Sequence, residues 1–593
     1  MCEGRKTTYL PSEQLDYVKL MALAREGPED ESSCARVAVL GFCTTHYYTQ
    51  VLEGLGRSVG FPLATYESDY NAVEQAVLDQ KSDLYTFNPD FVVFATAVQA
   101  LRPHLLNVPP SQRLERATQE AERVCALARR AAKLPGVNVV VHKFVVPYER
   151  PWGNLTGRIE GSLSSAVRRM NEILDHLAAE TANIHLVDCD HIASVLGKRA
   201  WFDERLWFHS KSFCHPDALP HVASQALDLF RAVKGRLVKC LLLDLDNTLW
   251  GGILGDEGLQ GIRLGALGDG QAYVAFQAYL QELRRRGILL AVCSKNDEEA
   301  ARQPFREHPD MVLREEDIAC FVANWDDKVH NVRRIAERLN IGLDSMVFID
   351  DSPFERNLVR DLVPEVIVPE MPEDPAEYVP YLDSLNLFET VQVSVEDEKR
   401  TEMIRADVQR RGEATKFGDL NQYLASLGMS AAFEPVDEYH LPRAAQLVQR
   451  TNQFNLTTIR HTAAELQQMA QDPDCRVLYA TLEDRFGDSG LVSVVVGRRV
   501  GEDMEIVTWV MSCRVVSRRL EEFVLDRLVE AAREVGCRRL RGRYVPTRKN
   551  ALVAGHYERL GFRRAESSPD GCTTWELDVS DYEPFDPPIR RKI

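Results

Sequence analysis

Asp244 and Asp246 stand two residues apart at the end of the apolar run Cys240–Leu243, with Thr248 two residues further on. The run is too short for a helix and ends abruptly on a carboxylate. It reads as a buried parallel strand delivering its last residues to the open carboxyl edge of a sheet, where α/β folds bind ligands. Three further groups follow in order. The strand-like run 288–293 ends on Ser294, Lys295 and Asn296. Lys328 opens a helical pattern whose apolar face is Val329, Val332, Ile335 and Leu339. The run 346–349 then ends on Asp350 and Asp351. Singly, each has an ordinary explanation: a solvated turn, a helix cap, a surface charge. Their joint order and spacing make one shared site the better reading.

Four carboxylates at one sheet edge repel one another and require a cation. Hard oxygen donors suit Mg²⁺ better than a softer metal. Asp244 and Asp350 are the expected metal carboxylates, the Asp246 main-chain carbonyl adds a third ligand, and Asp351 is a further candidate. Lys328 and the ion would neutralise a bound phosphate, Ser294 would orient it, and Thr248 and Asn296 are assigned to the substrate. Asp244 is then the group to attack phosphorus in line, forming an aspartyl-phosphate. Asp246 would protonate the leaving oxygen and afterwards activate water.

Elements must be found that hold these groups, and composition bounds them. A chain of 593 residues is too long for one core. Its net charge of −18 argues against nucleic acid and against an anionic membrane surface, and fits a cytoplasmic enzyme. No apolar run reaches the length of a membrane span, and no signal-peptide core is visible. The 13 cysteines are scattered, without C-x-x-C pairs, so neither a zinc site nor a disulfide framework is expected. We read an α/β domain over 1–235, the phosphoryl-transfer domain over 236–380, a charged helical connector over 381–429 and a smaller α/β domain over 430–593. In the first, strands at 36–41, 91–95, 137–141 and 184–188 alternate with helical stretches such as 111–132, which predicts a parallel sheet covered on both faces.

The groups Asp244, Asp246, Ser294, Lys328 and Asp350 resemble the four signature motifs of the haloacid-dehalogenase (HAD) phosphatases. The surrounding residues 243–252, 293–297, 340–345 and 348–356 resemble the FkbH-like branch. That resemblance implies an enzyme of polyketide pathways acting on 1,3-bisphosphoglycerate, a small phosphorylated three-carbon substrate. It would transfer the glyceryl unit to the phosphopantetheine thiol of an acyl carrier protein and remove phosphate. The acyl group would pass through Cys293, through Cys43, or directly to the carrier thiol.

The first domain resembles the SGNH-type hydrolases, with Cys43 where their nucleophilic serine stands. The late Asp-x-x-His pair has no match: only Asp203, His209 and His215 are present. The last domain resembles the GNAT acyltransferases, but the turn that should cradle cofactor phosphates, 514–519, holds no glycine. Its arginines suit the phosphate of a pantetheine arm. The string Gly487-Asp-Ser-Gly490 reads as a hairpin turn. The fold class expected is therefore α/β in three domains: SGNH-like, HAD-like with a minimal cap, and GNAT-like. A phosphatase for another small phosphorylated metabolite and a catalytically idle carrier-docking scaffold are the competing functions.

Overall fold

A computed structural model describes residues 16–27, 33–391, 395–414, 417–516, 518–547 and 549–592. The chain divides into two compact units. One holds the described residues up to Val233 together with Ser384–Val391; the other holds Lys234–Asp383 and the described residues beyond Val391.

In the first unit, strands β1 (Ala35–Gly41), β2 (Leu63–Glu67), β3 (Phe91–Ala95), β4 (Asn138–His142) and β5 (Ile184–Val187) form one sheet in the order β2-β1-β3-β4-β5. All its pairings are parallel. Alternation sends Val37, Val39, Phe91 and Val93 to one core, which the helices His46–Ser58 and Leu219–Val233 cover. Ala38, Leu40, Val92 and Phe94 go to a second core under Pro110–Ala131 and Leu163–Glu180. A sheet buried on both faces explains why these strands are almost uniformly apolar. β2 was not apparent from the sequence because it is an edge strand whose residues, Leu63 apart, are only half-buried.

The second unit opens with a four-stranded parallel sheet, β8-β7-β6-β9, formed by β6 (Cys240–Leu243), β7 (Leu289–Ser294), β8 (Ile318–Ala323) and β9 (Met346–Ile349). β6 lies between β7 and β9, with Leu243 level with Val292 and Ile349. The tips of three adjacent strands therefore meet at one edge.

The remainder is an eight-stranded, mostly antiparallel sheet in the order β15-β16-β14-β13-β12-β11-β10-β17. Its strands are β10 (Ser430–Pro435), β11 (Cys475–Asp484), β12 (Gly487–Val500), β13 (Asp503–Met511), β14 (Arg539–Tyr544), β15 (Arg563–Ser567), β16 (Thr573–Asp578) and β17 (Arg590–Arg591). β13 and β14 run parallel only over Asp503–Ile506 and Arg539–Gly542, then part. Segment 454–456 bridges the opening: Met511 N donates to Phe454 O (3.1 Å) and Val545 N to Leu456 O (2.8 Å). This splayed sheet, with helix Leu520–Glu534 joining β13 to β14, is GNAT-like.

One expectation needs revision. The hairpin tip between β11 and β12 is Arg485-Phe486, because Asp484 pairs with Gly487; Gly487–Gly490 belongs to β12. The charged connector is helical over Val395–Glu398, Arg400–Ala414 and Leu420–Ser426. Ser384–Val391 joins the first unit, while helix Arg400–Ala414 buries Asp407 and Arg410. Arg410 and Arg518 bridge Asp407 and Asp484 at 2.6–3.3 Å, a closed four-charge network in which each ion is paired. Residues 392–394 and 415–416 of that stretch lie outside the described residues.

Candidate active site

Each strand tip presents its group because the apolar run stops there. Asp244 follows the last residue of β6, and its N–H still donates to Ile349 O at 3.0 Å, which holds it beside Asp350. Lys328 is the first residue of helix Lys328–Leu339, whose N-terminus is capped by Asp327 accepting from His330 N. The apolar face of that helix packs on β6–β9 through Val329, Val332, Ile335 and Leu339. Its first residue is thereby carried to the acidic edge.

Lys328 Nζ lies 2.5 Å from Asp350 Oδ2 and 2.9 Å from Asp244 Oδ1. All three residues are buried, Asp350 completely. Burial alone would lower the Lys328 ammonium, but Asp244 and Asp350 hold it above its ordinary value. Burial, and then Asp244, push the Asp350 carboxyl up to about 7 despite the lysine. Burial and Asp244 likewise raise Asp351.

Asp244 Oδ1 is buried and accepts no well-aligned hydrogen bond. One carboxylate oxygen each from Asp244, Asp350 and Asp351 lie within 4.8 Å of one another. Three converging anionic oxygens with a lone pair to spare are the donor set of a hard divalent cation.

Asp246 faces elsewhere. Its Oδ1 accepts from Trp250 Nε1 (2.9 Å) and Leu254 N (3.1 Å), and its Oδ2 from Asn296 Nδ2 (3.0 Å). Any ligation by Asp246 thus falls to its main-chain carbonyl. Half-buried, its carboxyl is raised from its ordinary value by burial and by Asp244, against the hydrogen bonds from Leu254, Trp250 and Asn296. Asn296, expected at the substrate, is therefore a partner of Asp246. Thr248 is buried and its Oγ1 accepts from Asp351 N (3.2 Å), tying the first acidic motif to the last. Ser294 closes β7 at the same edge, 2% exposed.

Two supports escaped the sequence reading. Trp250 orients the Asp246 carboxylate. Arg356 donates to Asp350 O (2.8 Å) and Asp351 O (2.7 Å) and pairs with Glu370 (2.6 Å), clamping the turn that carries both acids. Gly252, at φ +94°, bends the intervening loop beside the Glu257 carboxylate in a backbone conformation that side chains rarely adopt.

The cysteine expectations require correction. Alternation along β7 turns the Cys293 thiol away from Ser294 into the core with Cys240, Ala291 and Phe348, fully buried. Cys43 is 2% exposed in the core of the first unit, its Sγ against Ala95 O. Burial pushes both thiols far up, so neither is a poised thiolate. Asp203 caps helix Glu204–Ser210 and His215 Nδ1 accepts from Asp217 N, so neither supplies a catalytic pair.

The family described as FkbH, N-terminal domain, matches residues 36–231. The N-terminal part of protein BF1531 from Bacteroides fragilis, containing a phosphatase domain and crystallised with Mg, is 36% identical. That match covers 63% of this chain and 99% of the other, with a TM-score of 0.60. This chain belongs to the FkbH-like HAD phosphatases.

Two acetyltransferases also align. The ribosomal-protein-S18-alanine N-acetyltransferase of Escherichia coli is 16% identical over 26% of this chain and 96% of its own, with a TM-score of 0.20. A GNAT-family protein of Desulfovibrio desulfuricans is 17% identical over 25% and 99%, at 0.22. No curated protein matches. In this FkbH-like chain the turn before helix Leu520–Glu534 reaches Arg519 at φ +61° with no glycine, and Arg518 is spent on the buried ion network; Ser517 lies outside the described residues. Among the described residues no helix is long and apolar enough to cross a membrane.

Proposed function

We propose that this chain is a Mg²⁺-dependent phosphatase and glyceryltransferase that takes 1,3-bisphosphoglycerate and loads a glyceryl unit onto the phosphopantetheine thiol of an acyl carrier protein. The observation that carries the phosphatase is the Lys328 ammonium 2.5–2.9 Å from Asp350 and Asp244, at the edge where Asp351 completes a three-carboxylate cradle. Asp244, Asp350 and Asp351 would hold the ion, as in a family whose B. fragilis member was crystallised with Mg. The ion supplies charge neutralisation at a phosphoryl group.

The remaining chemistry belongs to the chain. A carboxylate oxygen of Asp244 attacks phosphorus in line; a new P–O bond forms as the ester P–O bond breaks. Asp246, whose half-buried position raises its affinity for a proton, gives a proton to the leaving oxygen. It then takes a proton from water, whose oxygen attacks the aspartyl-phosphate, freeing phosphate and restoring Asp244. Lys328 offsets the charge of the equatorial oxygens throughout.

In the acyl step the carrier thiolate attacks the acyl-phosphate carbonyl, a thioester forms, and the C–O bond to phosphate breaks. Because Cys43 and Cys293 are both buried, direct attack by the carrier thiol is the route this architecture favours.

The experiment is intact-mass measurement of a holo carrier protein after incubation with 1,3-bisphosphoglycerate, Mg²⁺ and the enzyme. A glyceryl adduct is expected. Phosphate release without any adduct on a panel of carriers would leave a phosphatase and remove the transferase.

A further inference from the structure

At the opposite edge of the HAD-like sheet lies a cavity of about 360 Å³. It begins at Lys239, which precedes β6, whereas the acidic site follows β6 at Asp244; five residues of extended chain separate the two by about 16 Å. The cavity is therefore not part of the phosphoryl site. Six cationic side chains line it: Lys239, Arg400, Arg443, Arg450, Arg514 and Lys549. They come from the HAD-like sheet, the connector helix and the GNAT-like domain. Asp344 and Asp397 are the acidic side chains among its described lining residues.

Those acids are already engaged. Asp397 accepts from Gln446 (2.6 Å) and Arg450 (2.8 Å), and Asp344 pairs with Lys549 (2.7 Å). The excess of positive charge is felt inside: burial, and then Arg450, Arg514 and Arg443, lower the Arg400 guanidinium to about 10 against the pull of Asp397. Arg514 turns one guanidinium nitrogen to the Met403 thioether at 2.7 Å, a weak acceptor for a charged donor. A chain with net charge −18 that nevertheless gathers six cations around one cavity has concentrated them against its own average. Guanidinium forks match the paired oxygens of a phosphate.

We propose that this cavity binds the phosphate of an organic phosphate ester, whose carbon skeleton lies along Met403, Leu447 and Phe454. Thr451, Asn452 and Ser512, also on the wall, supply neutral hydrogen-bonding groups for that skeleton. The site is distinct from the hydrolytic centre and does not depend on the function assigned to it. A free metabolite and the arm of a carrier protein present the same phosphate chemistry, so both are probed.

The test is isothermal titration of the full chain in chelator at low salt, where the metal-free acidic edge repels anions. The probes are inorganic phosphate, 3-phosphoglycerate, 4′-phosphopantetheine and its phosphate-free counterpart pantetheine. Binding of at least one phosphorylated probe is expected, absent for pantetheine and weakened by added salt. Preference for 3-phosphoglycerate would mark a free metabolite as the ligand; preference for 4′-phosphopantetheine would mark the carrier arm. Arg514→Gln should weaken binding by about tenfold or more. Lys549→Glu, at an exposed position, should weaken it by about threefold or more. Melting curves of both variants control for folding. No binding of any phosphorylated probe, equal binding of pantetheine, or unchanged affinity in the Lys549→Glu variant would overturn the assignment.

Discussion

Replacing Lys328 with methionine keeps the packed stem and deletes the ammonium. The wild-type ammonium sits 2.5 Å and 2.9 Å from two buried carboxylates. Without it, carboxylate oxygens within 4.8 Å of one another face each other uncompensated; at an effective dielectric of about 20 each ionised pair repels by at least about 3 kcal/mol. Breaking a buried pair by removing one partner costs about 3–5 kcal/mol. For a domain the size of the HAD-like part of the second unit, that lowers its melting temperature by about 10 °C in chelator. Magnesium then offers the missing charge, and saturation at about 100-fold above Kd returns about 2.7 kcal/mol. Differential scanning fluorimetry of the Lys328→Met variant against wild type, in EDTA and across a MgCl₂ titration, reads both effects. The variant should fall in EDTA and regain over half the loss with Mg²⁺, while hydrolysis stays about 100-fold or more below wild type. An unchanged melting temperature in EDTA, or a loss that Mg²⁺ does not touch, would refute the view that the lysine and the ion answer the same carboxylates.

Asp246→Asn should cut turnover by about 10²- to 10⁴-fold in steady-state phosphate release. It should keep the Mg²⁺-induced rise in melting temperature, because its carboxylate points at Trp250 and Asn296 rather than into the cradle; loss of that rise would contradict the geometry. Asp228 in the first unit is buried, and desolvation lifts its carboxyl to about 7 in spite of Arg231 and Asn386. The unfolded chain ionises near 3.9, so the native state holds the extra proton between about pH 4 and 7 and stability declines as pH rises through that window. Asp228→Asn should therefore be more stable than wild type at pH 8, by on the order of 3 kcal/mol, and close to it at pH 4. Denaturant titration at both values decides, and a variant weaker at pH 8 would sink the reasoning. The buried thiols give a third check: Cys293→Ala and Cys43→Ala should load the carrier as wild type does, and loss of the adduct in either would reinstate a cysteine intermediate.

The strands bearing the acidic motifs were legible because each is an apolar run that stops on a polar group, a pattern set by burial on both faces of a parallel sheet. Half-buried edge strands such as β2 offer no such contrast. The burial of charge in the connector was not legible for a related reason. Sequence periodicity treats charge as solvated, but Asp407, Arg410, Asp484 and Arg518 lie 74 and 111 positions apart in places and pair only after folding.

Chain order alone determined which residue types stand at the strand tips, and with them the class of chemistry available. It also determined the apolar runs that become the buried parallel strands, since hydrophobic period is a local property. Tertiary structure alone decided how each group is used: that Lys328 reaches Asp244 and Asp350, that Asn296 serves Asp246, and that two candidate thiols are turned inward. It likewise gathered six cations from three segments around one cavity. Side-chain direction at a strand end, and pairing between charges distant in sequence, depend on the packing of neighbouring elements, which no local pattern encodes.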